Sequence, residues 1–219
     1  MRLPPARATV AIIGVTVAAF LLLSLIGADQ YAAYSGGFIP ERLTGHLAEI
    51  SIRARDPAFR FVPVWLTPLS ATLLHAGLLH IAFNMMFLGF CGRFVEAAIG
   101  PRLLVLLYVV GAYAAAFTHF LFSPDSLTPM IGASGAASAV LGTYALLYGQ
   151  RRQFFASQRL SKAVNVAWLA IAWIGLQLLM GVATRGETSM SIAIFAHIGG
   201  FLAGLALAQP LLLWRHRRM

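Results

Sequence analysis

Residues 103–124 read LLVLLYVVGAYAAAFTHFLFSP and contain no Asp, Glu, Lys or Arg. A membrane-crossing helix needs about 20 mainly apolar residues, and this run supplies 22. Its apolar residues do not alternate, as a transmembrane strand would require. Five more charge-free runs flank it, at 8–28, 61–92, 126–150, 163–184 and 188–214, with lengths of 21, 32, 25, 22 and 27. The run of 32 is too long for one helix, but Pro63 and Pro68 mark a turning entry before the helix proper. The reading is an all-α membrane protein with six transmembrane helices in one domain over residues 1–219. The spans fall at about 9–27, 69–92, 102–122, 132–149, 164–182 and 191–213, with an outer loop at 28–68.

Composition supports the same class. The 219 residues are 59% hydrophobic and only 11% charged, against about 25% charged in soluble domains, and the mean hydropathy is +0.80. A water-soluble globule and a disordered chain are both excluded. The net charge of +9 would suggest nucleic acid in a soluble protein. In a membrane protein the side of each charge matters more. With the N-terminus in the cytoplasm, 11 Lys and Arg fall inside and 5 outside, the latter being Arg42, Arg53, Arg55, Arg60 and Arg185. Both termini are therefore expected to be cytoplasmic, in a bacterial inner membrane, with the basic residues meeting anionic lipid rather than nucleic acid. The apolar stretch from Val10 to Ile26 is long for a signal peptide and reads as an uncleaved span. Cys91 has no cysteine partner, no metal-ligand spacing is present, and no cofactor is expected.

The connections are mostly short. Gly100-Pro101 reads as a helix stop and restart. The loops at 123–131 and 183–190 are read as outer, and the basic 150–162 loop as cytoplasmic. In the long outer segment, residues 41–52 (ERLTGHLAEISI) place Leu43, Leu47 and Ile50 at helical spacing. A short amphipathic helix at the interface is one reading of this stretch and a plain loop the other.

Polar residues inside spans are costly and are functional candidates. Ser134 opens the fourth span within Gly132-Ala133-Ser134-Gly135, where free N–H groups and the positive end of the helix dipole favour an oxyanion. The alternative is a small-residue helix contact, because Ser134, Ser138 and Gly142 share a face. His197 shares a thin face with Gly200 and Gly204. Ser134 lies 17 residues before Arg151 and His197 lies 18 before Arg215, so the two share a depth on parallel spans. A serine and a histidine within hydrogen-bond reach make a nucleophile and its base. No Asp or Glu lies within a span to orient that base, so a dyad is expected rather than a triad. His80 and Asn84, one turn apart on the second span, could donate to an oxyanion or tie two helices together. His75, about 140° around the helix from His80, reads as a structural contact near the loop. His119 lies near the outer end of the third span.

Taken together these residues resemble the rhomboid family of intramembrane serine proteases. The matching stretches are Gly132–Gly135, the run HAGLLHIAFN at 75–84, GRFVE at 92–96 and AHIGG at 196–200. The resemblance covers about 65–215. It implies a Ser134–His197 catalytic dyad, with His80, Asn84 and the Ser134 N–H as the oxyanion site. It further implies a water-filled cavity open to the outer side, and lateral entry of substrate past span 5 and the loop before span 6. The implied substrates are single-span membrane proteins with small residues at the cleavage point. Two positions depart from the family pattern. Ser138 stands where many members carry an aromatic that stacks on the histidine. Trp65 is followed by Leu66 rather than by arginine. The alternative function is a catalytically inactive rhomboid-like binder or chaperone of membrane proteins. A transporter would call for charged or broken helices at mid-membrane.

Overall fold

The computed structural model describes residues 5–149, 157–183 and 194–217. The basic connection at 150–156 and the stretch 184–193 before the last helix, to which the resemblance assigns part of substrate entry, lie outside the described residues. Among the described residues the chain is α-helical, with a lone antiparallel bridge between Phe38 and Met130. Four helices are long and apolar enough to cross a membrane: α1 (Arg7–Leu25), α5 (Leu78–Ile99), α6 (Pro101–Phe122) and α9 (Ile194–His216). They are joined by α2 (Asp29–Gly36), α3 (Leu47–Arg55), α4 (Thr67–Ser70), α7 (Ser134–Tyr148) and α8 (Gln158–Ala183). Large apolar side chains such as Val10, Leu22, Phe117 and Leu202 point outward, as they do where lipid is the solvent. The protein is an integral, multi-pass membrane protein.

The α5 helix departs from the reading that placed its span at 69–92. Residues 67–73 instead form α4 and a 3-10 turn, Ala71–Leu73. The long helix begins only after Gly77. At its other end α5 runs on past Arg93, so that a carboxylate, Glu96, does lie inside a helix of the bundle. Glu96 is buried because α1 satisfies it. The Ala8 N–H donates to Oε1 (3.0 Å), and the Thr9 N–H and Oγ1–H both donate to Oε2 (2.8 Å each). Glu96 follows Asn84 by 12 residues, or about 18 Å of helix, too far along to orient a base beside that end. Gly100, at φ +88, then makes the left-handed turn that lets Pro101 start α6 at once.

Small residues bring α7 and α9 into backbone contact. A Cβ at Gly204 would meet the Ala139 carbonyl, one at Gly200 the Gly135 carbonyl, and one at Gly142 the Phe201 carbonyl. The Thr143 hydroxyl donates across this seam to the Gly204 carbonyl (2.9 Å). Close approach of this kind is how membrane helices associate without a hydrophobic driving force. The 15 residues of α7 rise about 22 Å, short of a hydrocarbon core of about 30 Å. The helix is buried along its first ten residues, Ser134 to Thr143, and sits inside the bundle.

The outer segment folds through its own polar contacts. Where the sequence suggested a helix over 41–52, a 3-10 turn (Pro40–Leu43) comes first and α3 starts six residues late. The buried Glu41 carboxylate explains the offset, because it accepts from the Leu47 and Ala48 N–H groups (2.8 and 3.1 Å) and so caps α3. Leu43, Leu47 and Ile50 remain exposed. Arg42 is buried beside them. It donates to Glu49 (2.9 Å) and to the Val62 carbonyl (3.1 Å), with its guanidinium 4.6 Å from the Phe61 ring centroid. Arg42 thus anchors the loop that lacks an arginine after Trp65.

Candidate active site

Ser134 is the first residue of α7. The chain reaches it through Gly132, whose φ of +117 admits glycine readily and other residues rarely. The Gly132 N–H donates to the Ala71 carbonyl (2.9 Å), and the Phe38–Met130 bridge pins the preceding loop to the outer segment. These ties hold the end of α7 with its serine turned into the bundle.

His197 reaches Ser134 from α9, with Nε2 and Oγ 2.8 Å apart. Serine is 7% and histidine 5% exposed, so both are shielded from lipid. For Nε2 to accept the serine proton, the neutral ring must carry its own proton on Nδ1. That nitrogen has no hydrogen-bond partner among the described residues.

His80 lies beside Gly132, two residues before the serine. The point a Gly132 Cβ would occupy is 2.8 Å from His80 Nε2 and 3.7 Å from Ser134 Oγ. The Ala76 N–H donates to His80 Nδ1 (3.3 Å). A neutral ring with Nδ1 accepting carries its proton on Nε2, a nitrogen that faces Gly132. Any side chain at 132 would collide with this ring. Asn84 is fully buried one turn further on. Its Nδ2 donates to the His80 carbonyl (2.8 Å), and its Oδ1 has no hydrogen-bond partner among the described residues. Of the amide's two N–H bonds, one remains for another acceptor.

His75 is not 140° away from His80, because α5 starts after it. The chain folds back at Gly77 and brings the two rings edge to face, with centroids 4.9 Å apart. The Ala133 N–H donates to His75 Nε2 (3.4 Å), so His75 holds the residue next to Ser134. His119 is buried on α6. Despite the gathered histidines, no group of three His, Cys, Asp or Glu among the described residues could hold a metal ion.

A Rhomboid domain model matches residues 63–214. The chain belongs to the rhomboid family. The matched stretch contains the paired serine and histidine, His80 and Asn84; α1 and most of the outer segment precede it. Similar rhomboid proteins include RHOMBOID-like protein 4 of Arabidopsis thaliana, 30% identical over 150 residues, which are 68% of this chain and 34% of that protein. Rhomboid protease GlpG of Klebsiella pneumoniae is 30% identical over 155 residues, 70% of this chain and 50% of the relative. Rhomboid protease GluP of Bacillus subtilis is 32% identical over 149 residues, 67% and 27% respectively. This rhomboid chain therefore matches half or less of the length of these relatives.

Two features of the site were not legible in the sequence. Trp173 of α8 donates through Nε1–H to Ser138 Oγ (2.7 Å), and the Ser138 hydroxyl donates to the Ser134 carbonyl (2.7 Å). Between α8 and α9 lies an apolar cavity of about 360 Å³, lined by Trp173, His197, Phe201 and Leu205 among others. The missing aromatic at 138 was the one hint that a bulky group from elsewhere must fill this space.

Proposed function

We propose that this rhomboid is an intramembrane serine endopeptidase that cleaves single-span membrane proteins within or near their transmembrane segments. The observation that carries the reading is the 2.8 Å contact between His197 Nε2 and Ser134 Oγ at the buried start of α7. His197 takes the serine proton as Oγ attacks the scissile carbonyl carbon. The negative charge that forms on the carbonyl oxygen is held by His80 Nε2–H, the second N–H of Asn84 and the Ser134 backbone N–H. As the intermediate collapses, the C–N bond breaks and His197 returns the proton to the leaving amine. Water, activated by the same histidine, then releases the acyl group from Ser134.

Six spans, with α7 and α8 added to the four long apolar helices, are part of the same proposal, as is one domain over 1–219. So are a bacterial inner membrane and cytoplasmic termini, the latter resting on the 11-to-5 distribution of Lys and Arg. The test of the chemistry is labelling by a fluorophosphonate, whose phosphorus is attacked by an activated serine with loss of fluoride. Wild type is expected to label at Ser134, and Ser134→Ala and His197→Ala are expected not to. A folded wild-type protein that stays unlabelled would favour the inactive binder.

A further inference from the structure

The polar chain from α8 to the start of α7 has no role in the reaction as proposed above, yet it ends on the carbonyl of Ser134 itself. Trp173 is 4% exposed and Ser138 wholly buried. The indole is also clamped from the other side, its ring meeting Phe87 of α5 edge to face at 4.5 Å between centroids. Ser138 stands one turn below Ser134 on α7. A serine that bonds back to the carbonyl four residues earlier competes with the helix's own hydrogen bond and tends to bend the helix. Its hydroxyl has one proton, so its direction depends on what donates to its oxygen. The Trp173 N–H supplies that donor and leaves the hydroxyl proton aimed at the Ser134 carbonyl. Linked hydrogen bonds of this kind reinforce one another in a low-dielectric interior.

We propose that Trp173 is a positioning residue, which through Ser138 fixes the first turn of α7 and so the direction of Ser134 toward His197. Its ring pairs with Phe87 rather than stacking on His197, so it acts through the serine carbonyl and not on the imidazole. This inference rests on the protease reading.

The test uses full-length protein in detergent, with fluorophosphonate labelling rates, kcat and KM on a single-span substrate, and thermal unfolding. Trp173→Phe keeps an aromatic ring and removes the N–H together with part of the indole; Ser138→Ala removes the acceptor. Each is expected to slow labelling and lower kcat roughly 2- to 10-fold, the factor one net hydrogen bond provides, with KM unchanged and only a small fall in unfolding temperature, the protein remaining folded at the assay temperature. The double variant is expected to be no slower than either single one, because both remove one chain of bonds. Trp168→Phe, at an outward-facing indole on the same helix, is expected to behave as wild type. If wild type labels and Trp173→Phe labels equally fast, or if the two losses add, the positioning role is wrong while the protease reading stands. If wild type itself does not label, both fall.

Discussion

Ser134 and His197 were legible because glycines surround each of them, and close backbone approach inside a membrane protein leaves a composition signal. His80 and Asn84 were legible as a pair one turn apart, but the proton on His80 was not: it follows from the Ala76 N–H, which only the fold at Gly77 brings to Nδ1. That assignment has a consequence for mutants. His80→Ala removes a proposed oxyanion donor and is expected to cost about 10²–10³ in rate. Asn84 spends one N–H on its own helix, so Asn84→Ala is expected to cost less than His80→Ala. Single-turnover cleavage rates measure both. Full activity in His80→Ala protein that is merely less stable would make the pair structural. Trp173 was invisible because nothing in AIAWIGL marks one apolar helix position above its neighbours. Only the small Ser138 hinted at a partner.

The helices follow from run length and punctuation, and where they depart from it a buried charge is the reason. Splitting the chain at Arg93 ended α5 too early, because a charge count sees neither Thr9 nor the α1 N–H groups waiting for Glu96. Thr9→Val removes one donor and is expected to cost about 1 kcal/mol, whereas Glu96→Ala orphans three donors, two of them buried, and should cost more. Thermal unfolding in detergent checks the order. Equal stability of Glu96→Ala and wild type would mean that the carboxylate does not join α1 to α5. The α7–α9 seam makes a second test. At Gly204 a methyl group would meet backbone, which cannot swing aside, so Gly204→Ala is expected to destabilise by roughly 1–3 kcal/mol. Gly14→Ala, with nothing within 4 Å of its place, should be neutral or slightly stabilising. If Gly204→Ala is as stable as Gly14→Ala, the seam is looser than its glycines imply.

For the whole molecule the sequence marks six apolar runs and a basic bias, and the fold adds a short interior helix beginning at the serine. Orientation is a prediction in its own right. In a protein with Cys91 replaced by alanine, cysteines at Gln158 and Gly186 are expected to react with an impermeant label from opposite sides of the membrane. Labelling of both from one side would contradict the topology. What joins the scales is the proposed peptide hydrolysis inside the bilayer by two neutral side chains, 2.8 Å apart, whose imidazole has no hydrogen-bonded carboxylate among the described residues. The most direct measurement is cleavage of a tagged single-span substrate, with glycine and alanine at its cut site, by purified protein in liposomes. The expected result is one cut within or beside the transmembrane segment by wild type and none by Ser134→Ala. An intact substrate after incubation with folded wild type, or equal cleavage by Ser134→Ala, would contradict it.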